Sequence, residues 1–306
     1  MSNHLNWGLL STARINRRII PPLNSSPRSR LTAVASRSEE RALEFAARWR
    51  IPNDCGSYRR LLESEEIDAV YIPLPNSLHY RWVLEAVKRG KHVLCEKPLA
   101  LRPDEAETMI AAAEDNGVVL LEAVAYRMHP QFLRLIELVK EGAIGRPRLI
   151  RAHYTFTLPE GNGNIRWSKE LGGGVLRDVG GYPVSFCRGL AGNLPERVFA
   201  CQQRGPSGVD TFTAADLIFP GGLVGRIDCS FSLPYSVGAE VVGDGGRILV
   251  PNPWQPDTDG KPSGLILIAP DDSRTDISTP VIDPYLCEIE AMEDAALDGN
   301  PLIFSP

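Results

Sequence analysis

The stretch His92-Val93-Leu94-Cys95-Glu96-Lys97-Pro98-Leu99 decides how this chain is read. Its first half is a short apolar run, the pattern of a buried parallel strand. Its second half puts a carboxylate, an amine and a helix-starting proline at that strand's C-terminal end. In open α/β sheets that edge is where ligands bind. A lysine there sits among backbone amides. Desolvation and nearby positive charge lower its pKa and make it usable for proton transfer. Alone, Glu96-Lys97-Pro98 reads equally well as a surface pair before an ordinary helix, so the context decides.

Outward from that stretch, residues 5 to about 122 alternate between two periods. Strand candidates are Leu5–Leu10, Leu31–Ala35, Ala69–Leu74, His92–Cys95 and Val118–Glu122. Helix candidates are Glu39–Arg48, Ser77–Arg89 and Pro103–Asn116. In the last, Pro103 suits a first turn, Asp104 and Glu105 suit the positive dipole end, and Asn116-Gly117 suits the stop. Strands apolar on both faces and joined by helices predict a parallel, doubly wound α/β sheet of the Rossmann type over residues 1–122.

Beyond residue 123 the pattern changes. A helix at Gln131–Glu141 and a strand at Leu149–Phe156 precede a glycine-rich turn and a helix running through Asp178 to Leu190. Strands follow at Arg197–Gln203, Thr211–Phe219, Leu223–Ser232, Gly238–Val242, Arg247–Val250 and Leu265–Ile268. This predicts an α+β domain over 123–306 with one large, mostly antiparallel open sheet. Pro251–Ser263, rich in Pro, Asp and Gly, reads as an exposed loop.

The bulk properties narrow the function classes. The chain has 306 residues, a charged fraction of 23% and a formal net charge of -5. Such mild acidity supplies no electrostatic footprint for nucleic acid or an anionic membrane. No apolar run approaches the ~20 residues of a membrane span. The N-terminus runs directly into a strand pattern without a basic-then-apolar leader, which predicts a cytoplasmic protein. The six cysteines form no C-x-x-C pair, as expected of reduced thiols, and the five histidines form no H-x-x-x-H pattern, so no metal site is expected.

Cofactor signals sit at the strand ends. Dinucleotide folds place G-x-G-x-x-G after the first strand, and here Ser11, Ala13 and Asn16 stand at the glycine positions. Ser11 and Thr12 are small hydrogen-bonding residues, and Arg14 is in reach of a phosphate. The second strand ends in Ser36-Arg37, where NAD-specific folds carry an acid. A hydroxyl and a guanidinium there suit the 2′-phosphate of NADP. The third strand runs into Ile72-Pro73-Leu74-Pro75-Asn76-Ser77. Its prolines end pairing and carry the chain over the sheet edge, while Asn76 or Ser77 caps the next helix.

In the second half, Gly172-Gly173-Gly174 leads to Asp178 and Tyr182. On a helix these two are four apart and share a face, an acceptor beside a phenol. Arg166 and Trp167 precede the glycine run and are candidates to line a pocket.

Taken in order, Trp7-Gly8-Leu9-Leu10-Ser11-Thr12-Ala13, Glu96-Lys97-Pro98, Glu122-Ala123 with Tyr126-Arg127-Met128-His129-Pro130, and Gly172 through Tyr182 resemble the Gfo/Idh/MocA family of NAD(P)-dependent oxidoreductases. The branch most resembled is that of NADP-dependent D-xylose 1-dehydrogenases and dimeric dihydrodiol dehydrogenases. The resemblance implies NADP, with NAD the alternative, and a homodimer or higher homo-oligomer formed through the C-terminal sheet. It implies Lys97, Tyr182 and Asp178 as catalytic residues, with Tyr182 replacing the histidine many members carry. The implied cofactor set is Ser11, Thr12, Ala13, Arg14, Ile15, Ser36, Arg37, Pro73, Leu74, Asn76, His79, Glu96, Lys97 and Arg127. Arg166, Trp167 and Asp178 are the implied substrate contacts. Family members generally continue with a further helix of roughly two dozen residues, which implies that this sequence is truncated.

The activity expected is reversible hydride transfer between NADP and a hydroxyl-bearing carbon of a sugar, polyol or dihydrodiol. Tyr182 would take the hydroxyl proton while the Lys97 cation lowers the phenol's pKa, or Lys97 would itself be the base. The alternatives are a non-catalytic NAD(P)-binding sensor of the same fold and a NAD-linked inositol or amino-sugar dehydrogenase. Substrate choice is expected to rest on loops such as Leu158–Trp167.

Overall fold

The computed structural model describes residues 3–161, 163–258 and 260–304. Asn162, inside the expected specificity loop, and Asp259, inside Pro251–Ser263, lie outside the described residues, as do both chain ends. Packing divides the chain into two units, Met1–Ala125 with Tyr285–Pro306, and Tyr126–Pro284.

The first unit is built on a six-stranded parallel sheet of β1 (Leu5–Leu10), β2 (Ser29–Ala35), β3 (Asn53–Cys55), β4 (Ala69–Ile72), β5 (His92–Glu96) and β6 (Leu120–Ala123). The spatial order is β3-β2-β1-β4-β5-β6. The order reverses between β1 and β4, so their carboxyl ends form the switch point of a doubly wound sheet. The strands are apolar because both faces are covered: Val70, Ile72, Val93 and Cys95 are buried with Val83 and Val87 of α4 (His79–Val87) and Met109 of α5 (Pro103–Asp115).

The helices end where the sequence signals place them. α2 (Glu39–Trp49) opens on Ser38, whose Oγ accepts from Arg41 N, and carries Glu39 and Glu40 in its first turn. α5 has Pro103 in its first turn and gives way to Asn116 and Gly117, the latter at φ +64°. Elements without a clear signal are α1 (Asn16–Ser25), which holds Pro21 and Pro22, the three-residue β3, and α3 (Tyr58–Leu62).

The second unit contains α6 (Pro130–Lys140) and α7 (Gly181–Ala191) with an eight-stranded sheet. Its strands are β7 (Pro147–Thr157), β8 (Arg197–Arg204), β9 (Asp210–Ile218), β10 (Val224–Ser230), β11 (Ser232–Gly243), β12 (Gly246–Val250), β13 (Leu265–Ile268) and β14 (Arg274–Ile277). The spatial order is β14-β13-β12-β11-β7-β10-β9-β8. Among the described residues only the β10–β7 pair is parallel, so the sheet is mostly antiparallel, as the strand spacing predicts. α7 packs against β7 and β10.

Two expectations are corrected. The C-terminal segment, read as part of the second domain, packs with the first unit as α8 (Pro284–Asp298). The buried Glu293 carboxylate accepts from Ser26 Oγ at 2.6 Å and Ser29 Oγ at 2.5 Å, and Arg28 pairs with Asp294 and Asp298 at 2.7 Å. Pro251–Ser263 is not simply exposed, for it carries the buried Trp254 and Asp257. Trp254 Nε1 donates to His153 O at 2.9 Å, and Asp257 accepts from Ser263 N and pairs with the buried His129. Among the described residues no helix is long and apolar enough to cross a membrane.

Candidate active site

The turn after β1 is tied by its own polar groups. Ser11 has φ +153°, a backbone conformation L residues rarely adopt, at the position where the fingerprint has its first glycine. Its Oγ accepts from Ala13 N at 3.2 Å, and its carbonyl accepts from Asn16 Nδ2 at 2.7 Å. Asn16 therefore replaces a glycine by bracing the turn from a buried position. No side chain caps the start of α1, and its first turn contains no acid. A helix start without a side-chain cap, beside Arg14 and Arg17, suits a phosphate.

Ser36 is buried at the end of β2, its Oγ accepting from Ser38 N at 3.3 Å. Arg37 is exposed and lies against the Tyr58 phenol, whose pKa burial pushes up and the guanidinium pulls down. Pro73 and Leu74 follow β4 and are buried, whereas Asn76 is half-buried in a short 3₁₀ turn ahead of α4. The arrangement of Ser11–Ile15, Ser36-Arg37 and Pro73–Asn76 around one end of the sheet fits a dinucleotide: an uncapped, basic helix start for its pyrophosphate and a guanidinium in place of an acid for its ribose.

At the β5 end, Lys97 is half-buried and followed by a cis peptide bond to Pro98. The Glu96 carboxylate is already engaged, accepting from Tyr71 Oη at 2.5 Å and from Lys97 N at 3.3 Å. The Glu122 carboxylate accepts from Leu99 N at 2.9 Å. Sequence reasoning missed Tyr71, a core position on β4 with no signal other than its phenol. His79, expected to touch the cofactor, is fully enclosed, with each ring nitrogen 2.8 Å from a backbone carbonyl, so its side chain is withdrawn from any ligand.

In the second unit, the glycine run is dictated by close packing. A Cβ on Gly173 would collide with the Arg166 carbonyl, and one on Gly174, at φ +114°, with Asp210 Oδ1. Gly174 N donates to Arg166 O at 3.0 Å, which brings Arg166 beside Asp178, and their side chains pair at 2.6 Å. The expected regular helix through Asp178 is instead a π-helical turn at Leu176–Gly180, leading into α7. Such turns are frequent at functional sites.

Tyr182 sits in an aromatic surround, its ring 5.8 Å from Tyr154, 5.9 Å from Trp254 and 6.1 Å from Tyr126. No local signal shows that these residues converge, since they come from a strand, a loop and a turn. Tyr126 Oη bonds Ser185 Oγ at 2.7 Å, and that hydroxyl donates to Tyr182 O at 3.0 Å, fixing the first turn of α7. Trp167 packs edge-on against Phe231 at 5.4 Å and donates from Nε1 to Pro159 O. Next to it a cavity of about 620 Å³ is lined by Glu160, Asn164, Ile165, Trp167, Ser168 and Ser207 among others. Arg127 lies in the 3₁₀ turn that opens this unit. Among the described residues no group of three or more His, Cys, Asp or Glu side chains converges to hold a metal.

Residues 5–124 match the model of an oxidoreductase family with an NAD-binding Rossmann fold, and residues 132–249 match the GFO/IDH/MocA C-terminal domain. The chain belongs to the GFO/IDH/MocA family of NAD(P)-dependent oxidoreductases. It is 37% identical over 295 residues to an NADP(+) D-xylose 1-dehydrogenase of Haloferax volcanii, spanning 96% of this chain and 90% of that one. It is 35% identical to the trans-1,2-dihydrobenzene-1,2-diol dehydrogenase of Mus musculus, spanning 82% and 76%. In structure it is similar to a 3-ketoreductase from Actinomadura kijaniata in complex with NADP and TDP-benzene, with TM-score 0.88 and 30% identity, spanning 97% and 91%.

Proposed function

We propose that this chain is an NADP-dependent dehydrogenase acting on a hydroxyl-bearing carbon of a sugar, an aldose such as D-xylose, or of a dihydrodiol. The observation that carries the reading is the half-buried Lys97 at the tip of β5, on the edge of the sheet where a nicotinamide nucleotide is bound in doubly wound folds. NADP, when bound, supplies the acceptor for the hydride. Tyr182 takes the hydroxyl proton, the Lys97 ammonium binds the same oxygen and favours the phenolate, and Asp178 accepts from a neighbouring hydroxyl. Arg166 pairs with Asp178 at 2.6 Å and orients that carboxylate.

The preference for NADP over NAD rests on Ser36-Arg37, because a carboxylate at that place would repel a 2′-phosphate and a guanidinium attracts it. The exposed apolar residues Val198, Phe199, Leu233 and Tyr235 on β8 and β11 support a homodimer through the open sheet. The test is turnover of NADP and of NAD with D-xylose, D-glucose and a trans-dihydrodiol. Reduction of NADP with at least one of the three, faster than that of NAD, is expected. Tight NADP binding with no turnover across the panel would instead favour a sensor.

A further inference from the structure

His79 opens α4 and is fully buried. Its Nδ1 lies 2.8 Å from the Pro98 carbonyl, and its Nε2 lies 2.8 Å from the Leu74 carbonyl. Both partners are acceptors only. A neutral imidazole has one N–H, so it would turn a lone pair onto one of these oxygens at hydrogen-bond distance; only the protonated ring donates to both. Burial is the largest influence on the ring and lowers its pKa overall, while the two carbonyls and the Glu96 and Glu122 carboxyls pull the other way.

The geometry decides between them, because each ring nitrogen faces an oxygen that can only accept. Glu96 on β5 accepts from Tyr71 Oη and Lys97 N, and Glu122 on β6 accepts from Leu99 N, so both are held as acceptors. Glu288 on α8 faces the same two carboxyls, and burial with their charge pushes its own pKa well up, toward the neutral acid. The half-buried Glu96 and Glu122 carboxyls both favour a charged ring.

We propose that His79 is a positioning residue, a buried imidazolium whose two N–H groups tie the loop after β4, at Leu74, to the loop after β5, at Pro98. Leu74 lies two residues before Asn76, and Pro98 directly follows Lys97. One ring therefore sets the spacing between the segment that passes over the cofactor edge and the amine used in the chemistry. The consequence for activity rests on the function proposed above, but the protonation state does not.

The test is ¹⁵N NMR of the ring nitrogens in the full-length, histidine-labelled protein. The His79 signal is assigned by its loss in His79→Gln or, should that variant not fold, by elimination in variants of the other four histidines. Both His79 nitrogens are expected to be protonated at neutral pH, against the pull of burial. A ring with a single N–H at neutral pH would overturn the proposal. In the folded His79→Gln protein, which retains one donor, kcat is expected to fall roughly 10-fold or more through misplacement of Lys97. An unchanged kcat would refute positioning even if the ring proves charged. Absence of turnover in the wild type beside a doubly protonated ring would sink the enzymatic reading and leave the imidazolium standing.

Discussion

At Arg37 a guanidinium occupies the end of β2, where a carboxylate would select NAD. It is exposed and hydrogen-bonds the Tyr58 phenol, and a guanidinium's five donors leave others for a ligand phosphate. Charge-assisted hydrogen bonds to a phosphate contribute enough that Arg37→Ala should raise the KM for NADP by about 10- to 100-fold. The KM for NAD should change far less, and equal effects on the two cofactors in steady-state kinetics would show that Arg37 does not read the 2′-phosphate. The places of Ser11–Ile15, Ser36-Arg37 and Pro73–Asn76 at the strand ends were legible from the strand pattern. His79 and Glu96 were misread because sequence position told where their backbone lies, not that their side chains turn inward.

Elements with a strong local period, such as β1, β4, β5, α2 and α5, were legible because the pattern and its caps agree. α1 was not, since Pro21 and Pro22 argue against a helix and only its buried face, with Ile19, Ile20 and Leu23, overrides them. The π-helical turn before α7 depends on Gly173 and Gly174 packing against residues distant in sequence, which no local signal encodes. α8 shows the same limit: its membership of the first unit follows from Glu293 and Asp294 meeting Ser26, Ser29 and Arg28. Glu288 on that helix gives a pH signature. Its pKa is raised well above 4.5 in the folded protein, so the folded state binds the extra proton. Stability from this group is complete below the unfolded pKa and declines as pH rises toward the folded value. Glu288→Gln, which keeps the shape without the ionisation, should therefore gain Tm relative to wild type progressively between about pH 5 and pH 8. A difference in Tm that stays constant across that range in thermal melts would show that Glu288 does not carry the shift.

For the whole molecule, the sequence pattern gave a parallel α/β unit and an antiparallel sheet unit, and both are present. The two units contribute unlike chemistry. The first offers an amine and a basic edge at the strand ends; the second offers a carboxylate held by a guanidinium and a phenol enclosed by Tyr126, Tyr154 and Trp254. The central proposal is that the Lys97 amine and the Tyr182 phenol each serve proton transfer, with NADP the group that would accept the hydride. The direct measurement is the rate of NADPH formation with the best substrate of the panel for wild type, Lys97→Met and Tyr182→Phe. General acid–base catalysis predicts a loss of roughly 100-fold or more in kcat for each variant. Turnover at the wild-type rate in both would contradict the account.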